Sequence, residues 1–134
     1  MITCQTRLYL AISVTNTYKE LSVIKANVLG VEYEITLANE TDRPERFDDR
    51  DGEVDESVKK IYVNDHSDCV DDVHSLSDKE YLTKKNVRHE LIHAFLFESG
   101  LAENSNWARN EEMVDWIARQ FPKMAKTFQE VKAL

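Results

Sequence analysis

The chain has 134 residues, a length that fits one domain, and its 42% apolar content is enough to form one core. Seventeen basic residues against 25 acidic ones give a formal charge of −8, which disfavours a nucleic-acid surface and leaves no polybasic patch for a membrane. No run of 18 apolar residues and no leader of secretory type occurs, so the expectation is a soluble, cytoplasmic protein; its two widely separated cysteines, Cys4 and Cys69, make no disulfide framework and read as reduced structural thiols.

In chain order, Leu8, Leu10, Ile12 and Val14 alternate, which predicts a strand within residues 2–14; residues 1–22 are expected to be an extra edge strand or a flexible arm. Residues 23–28 and 31–37, separated at Gly30, read as strands, with Val31, Tyr33, Ile35 and Leu37 alternating against Glu32, Glu34 and Thr36. Residues 39–57 are polar and charged and contain Pro44 and Gly52, so a surface loop is expected, with Phe47 and Val54 its two candidates for the core. Residues 58–64 return to a strand, and His66 and His74 follow in an acidic stretch as solvated loop residues. Ser77 and Glu80 have the S-x-x-E capping spacing and Gly100 is a stop, so one helix is predicted over 78–99. Its Lys79, Lys84, Lys85 and Arg88 read as an ordinary solvated face in preference to an anion-binding patch. A turn over 101–106 leads to a second helix over 107–121, and Pro122 opens a last short helix with Met124, Phe128 and Val131 facing inward.

Inside the first helix stands His89-Glu90-Leu91-Ile92-His93, the pattern H-E-x-x-H. Each helical residue turns about 100°, so two histidines four apart share a face and both imidazoles reach one ion. A catalytic zinc takes three protein ligands and keeps a fourth position for water. Glu90, about 100° round from His89, stands where a general base can reach that water. Leu91, Ile92, Ala94, Phe95, Leu96 and Phe97 surround the motif, so the helix should be buried, and buried polar groups need partners. A structural zinc site would more often be rich in cysteine. The third ligand is expected at Glu111, because Asp115 follows it by one turn and can accept the outer N–H of a metal-bound histidine. The bland reading of this second segment is an amphipathic helix in which Trp107, Met113, Val114, Trp116, Ile117 and Ala118 are core residues around solvated acids.

H-E-x-x-H followed by Asn110-Glu111-x-x-x-Asp115 resembles the gluzincins, the thermolysin-like zinc peptidases. A narrower resemblance, over roughly residues 23–132, is to ImmA/IrrE-type metallopeptidases and their phage-encoded relatives, the minimal gluzincins. It adds Lys60-Ile61-Tyr62-Val63-Asn64 ahead of the motif helix and Ile117-Ala118-Arg119-Gln120-Phe121-Pro122 after the glutamate. The chain departs from the family in reading Val114-Asp115 where Ala-Asn is usual, and in carrying no DNA-binding domain.

The resemblance implies a single α+β, zincin-like domain over 1–134, with a small mainly antiparallel sheet packed on the H-E-x-x-H helix and a second, glutamate-bearing helix. It implies a Zn2+ endopeptidase in which His89, His93 and Glu111 hold the metal, Glu90 is the base and Asp115 orients the first histidine. The strand over 58–64 would run beside the metal and pair with an extended substrate. His66, His74, Tyr62 and Tyr81 are the candidates for stabilising the oxyanion. The implied substrate is a protein or peptide, a phage or prophage regulatory factor in the cytoplasm of a bacterial host, with no nucleic acid and no membrane as partner. The competing reading is a non-catalytic, zinc-stabilised interaction protein of phage origin. A SprT-like protease acting on DNA-bound proteins would need a basic surface that this composition does not supply.

Overall fold

A computed structural model describes residues 23–69 and 77–134. The strand expected in residues 2–14, the arm over 1–22 and His74 lie outside the described residues. The elements are β1 (Val23–Val28), β2 (Val31–Ala38), α1 (Pro44–Phe47), β3 (Gly52–Asp55), β4 (Lys60–Asn64), α2 (Lys79–Glu98), α3 (Leu101–Asn104), a 3-10 turn (Asn106–Arg109) and α4 (Glu111–Glu130). The described residues form an α+β fold with a mixed four-stranded sheet and four helices.

The strands lie in the order β1-β2-β4-β3. β1 and β2 form an antiparallel hairpin that puts Val28 opposite Val31, and β3 runs antiparallel to β4. The hairpin closes through Leu29 and Gly30, both at positive φ (51° and 91°), the backbone that a two-residue hairpin of matching twist requires. Asn27 Oδ1 accepts from Gly30 N at 2.8 Å and ties the turn. The central pair, β2 with β4, is parallel, with Ile35 opposite Ile61. Two pairings of three are therefore antiparallel, as expected; the parallel one follows from inserting α1 and β3 between β2 and β4.

Alternation in β2 sends Tyr33 and Ile35 to one face, where they join Val28, Ile61, Val63 and Ala94 of α2 in the main buried cluster. Leu96, Ala108 and Val114 form a second cluster between α2 and the segment leading into α4. α2 is thus covered by the sheet on one side and by α3 and α4 on another, which explains why its apolar residues are not confined to one stripe.

Several expectations are corrected. Residues 39–57 are not a plain loop, since they contain α1 and β3, while Phe47 is buried and Val54 packs on the main cluster, as expected of the segment's two core candidates. The strand expected from residue 58 begins at Lys60, because Lys59 takes a left-handed backbone (φ 58°) and Val58 faces solvent. The cap of α2 is Asp78, whose side chain accepts from Tyr81 N at 2.9 Å, rather than Ser77. Gly100 ends α2 at φ 78°, as its conformational freedom allows. Cys69 is disulfide-bonded instead of carrying a reduced thiol; the other cysteine of the chain, Cys4, lies outside the described residues.

Pro122 does not open a new helix. α4 runs through it from Glu111 to Glu130, capped by Asn110 Oδ1, which accepts from Met113 N at 2.8 Å. A proline has no N–H, so the carbonyl one turn back, that of Ala118, loses its helical donor. Arg88 Nε on α2 donates to that oxygen at 2.7 Å and replaces it. No residue after Ala118 is buried, and Met124, Phe128 and Val131, expected to face inward, are exposed; of the residues that the amphipathic-helix reading would put in the core, Val114 and Ala118 are buried, Ile117 is half-buried, and Trp107, Met113 and Trp116 are exposed. Among the described residues no helix is long and apolar enough to cross a membrane.

Candidate metal centre

His89 and His93 stand one turn apart on α2, and their Nε2 atoms approach to 3.2 Å. Glu111, the first residue of α4, is brought opposite by the packing of α4 on α2. Its Oε2 lies 3.0 Å from His89 Nε2 and its Oε1 3.2 Å from His93 Nε2. Donors at about 2.0 to 2.1 Å from a tetrahedral ion stand about 3.3 Å from one another, so these separations of 3.0 to 3.2 Å are those of a ligand set. The three residues form a group that could hold a metal ion. Burial is the first cause that keeps the His89 imidazole below its ordinary pKa, with the neighbouring His93 adding to it against Glu111 and Asp115. A neutral imidazole is what metal ligation requires.

The other face of His89 meets Asp115, whose Oδ1 lies 3.5 Å from His89 Nδ1. Burial pushes the Asp115 carboxyl up, but a hydrogen bond from Arg119 and the charges of Lys85 and Arg119 outweigh it and hold the carboxyl below its usual value. Glu112 faces solvent and is not in the group.

Glu90 is only 7% exposed. Burial, then the carboxylates of Glu111 and Glu53, push its pKa from 4.5 to about 8, against the opposing charges of Lys85 and Arg50. It lies against β3 at Gly52, where an added Cβ would stand 2.6 Å from Glu90 Oε1 and 2.8 Å from its Cγ. Only glycine leaves room for this carboxyl. Nothing in the loop-like composition of residues 39–57 signalled that contact. Lys85 and Arg119 were also missed as neighbours of the site, although each falls one helical turn from a residue already singled out.

Of the oxyanion candidates, His74 lies outside the described residues, and His66, Tyr62 and Tyr81 are not part of the group. His66 is buried, 3% exposed, rather than solvated. Burial lowers its pKa against the opposing Asp51, Asp65 and Asp68. Its Nε2 and the Nδ2 of Asn86 are buried without a hydrogen-bond partner among the described residues. Tyr62 lies under the Arg46 guanidinium, 3.8 Å from ring centroid to Cζ. Tyr81 is half exposed in the first turn of α2, eight residues and about 12 Å along the axis from His89. The four basic residues of α2 form no common patch: Lys84 pairs with Glu80, Lys85 with Asp115, Lys79 donates to Cys69 O and Arg88 to Ala118 O.

β4, the strand expected to take up a substrate, is interior, hydrogen-bonded to β2 on one side and β3 on the other. The sheet edge that adjoins Glu90 is β3.

The fold and the site together define a small α+β protein with a histidine-glutamate group suited to a metal ion. No protein-family model matches the sequence, and comparison with curated proteins and with solved structures finds no match.

Proposed function

We propose that the protein is a zinc-dependent metallopeptidase of gluzincin type, similar to the ImmA/IrrE enzymes, that cleaves peptide bonds in a protein substrate. The observation that carries this reading is the convergence of His89 Nε2, His93 Nε2 and the Glu111 carboxylate at ligand spacing, with Glu90 next to them. Two nitrogens and a carboxylate suit zinc and leave a position open. When bound there, zinc would polarise a carbonyl and activate water at neutral pH.

Glu90 accepts the proton of the attacking water and passes it to the leaving amine. Its depth in the protein favours the protonated acid when no cation is near, and positive charge beside it restores the carboxylate that a base must be. Asp115 Oδ1, 3.5 Å from His89 Nδ1, faces that nitrogen and favours the tautomer that leaves Nε2 for ligation. An extended peptide adds to the outer edge of β3, whose backbone lies against Glu90 at Gly52. A regulatory factor of a phage or prophage, met in the cytoplasm of a bacterial host, is the substrate class this resemblance brings.

One observation favours a second reading. Trp116, Phe121, Met124 and Phe128 leave an exposed apolar stripe on α4, as expected of a zinc-stabilised interaction protein that docks a partner. Elemental analysis and cleavage of a denatured protein such as casein separate the two. The peptidase reading expects one zinc per chain, lost in His93→Ala and Glu111→Ala, and cleavage lost in Glu90→Gln with zinc retained. No zinc in the wild type, even after zinc is supplied, overturns it. Zinc without cleavage leaves the interaction protein.

A further inference from the structure

Asp115 is the point at which α2 and α4 exchange charge. Lys85 precedes His89 by one turn on α2, and Arg119 follows Asp115 by one turn on α4. Arg119 Nε donates to Asp115 Oδ2 at 2.6 Å. Lys85 Nζ lies 3.4 Å from Oδ1, the oxygen that stands 3.5 Å from His89 Nδ1. Both carboxylate oxygens are therefore engaged, one from each helix. The Lys85 side chain is only 12% exposed, and an ammonium at that depth requires an anionic partner. Arg119 is half exposed, so as an energy contribution the pair is small; its value is that it fixes which way the carboxylate turns.

The geometry points to Lys85 and Arg119 as positioning residues of the metal centre: they clamp Asp115 from both helices so that it faces His89 Nδ1 and leaves Nε2 to the metal. The inference rests on the metal-centre reading above. Without the clamp, Asp115, about one-third exposed, is free to turn toward water, and His89 loses the acceptor that sets its tautomer and ring orientation. Partners of this outer kind are worth about 10- to 100-fold in metal affinity.

The test uses zinc alone, titrated into the full chain against a chromophoric chelator. Lys85→Met/Arg119→Gln is expected to bind zinc about tenfold more weakly than wild type, and Asp115→Asn at least as weakly. In the Asp115→Asn background the same pair of changes is expected to cause no further loss, because both act through that carboxylate. A structural contribution would lower the melting temperature of the metal-free chain without this dependence on Asp115. Lys85→Arg/Arg119→Lys keeps both cations and is expected to restore affinity. Arg119→Gln alone, at a half-exposed position, carries the test if Lys85→Met destabilises the fold. Wild-type affinity in Lys85→Met/Arg119→Gln, or a second tenfold loss on top of Asp115→Asn, overturns the clamp while leaving the metal site standing. A wild-type chain that binds no zinc brings down the metal reading itself.

Discussion

Replacing Gly52 by alanine sets a methyl carbon 2.6 Å from Glu90 Oε1, 2.8 Å from Cγ and 3.0 Å from Cδ, where non-bonded carbons rest at about 3.5 to 4.0 Å. The overlap includes Cγ, which is close to the α2 backbone, so rotating the far end of the glutamate does not relieve it. Either β3 moves out or the carboxyl is displaced by about 1 Å, and overpacking of this kind costs about 1 to 3 kcal/mol. If Glu90 is the base, a misplacement near 1 Å also costs up to about 100-fold in turnover. Urea unfolding of the metal-free chain measures the first cost, and if the site holds zinc as proposed, its content is expected to stay at the wild-type level because Glu90 is outside the His89-His93-Glu111 group. The contact is isolated by repeating Gly52→Ala in a Glu90→Ala background, where the clashing atoms are gone and the cost should fall to a few tenths of a kcal/mol. An equal cost in both backgrounds would refute the argument, since the penalty would then come from the β3 backbone and not from Glu90.

Arg88→Ala removes the donor that replaces the missing N–H of Pro122, so stability is expected to fall by about 1 kcal/mol in thermal unfolding. Pro122→Ala restores the helical donor and should make the same change nearly silent, and an undiminished loss would show that Arg88 stabilises by other means. Glu98 accepts from Lys59 and from Tyr33 Oη, and those hydrogen bonds, Lys59 first, hold its carboxyl below the ordinary 4.5. Its contribution is therefore present above the unfolded value and is lost as pH falls through the depressed one. Glu98→Gln should lose stability at pH 7 relative to wild type and flatten the decline below about pH 4.5; parallel curves for the two proteins would contradict it.

What was legible from the sequence is what depends on near neighbours in the chain. The turn of a helix alone puts His89 and His93 on one face and Glu90 beside them, and the alternation of β2 sends Tyr33 and Ile35 inward. The break at Gly30 and the stop at Gly100 follow from backbone conformations that glycine adopts freely. Glu111 was placed from its spacing of one turn ahead of Asp115 together with the resemblance of that string to the gluzincin pattern, and the structure brings it to the histidines.

Only the tertiary structure decided the rest, because each missed feature depends on a contact between segments far apart in sequence. β3 is four residues of mixed polarity and becomes a strand because β4 supplies its ladder. α4 passes through Pro122 because Arg88, 30 residues before Ala118, meets the orphaned carbonyl of Ala118. The apolar stripe of α4 follows the period of a buried helix yet faces solvent, since periodicity shows that a face exists and not whether the fold covers it. Gly52 reads as a loop breaker until β3 is seen lying on Glu90, and Lys85 reads as a solvated charge until α2 and α4 close around Asp115, with Arg119 on its other oxygen. The chain's own periodicities placed the candidate ligands on their elements; the packing of α2 against β3 and α4 determined what surrounds them.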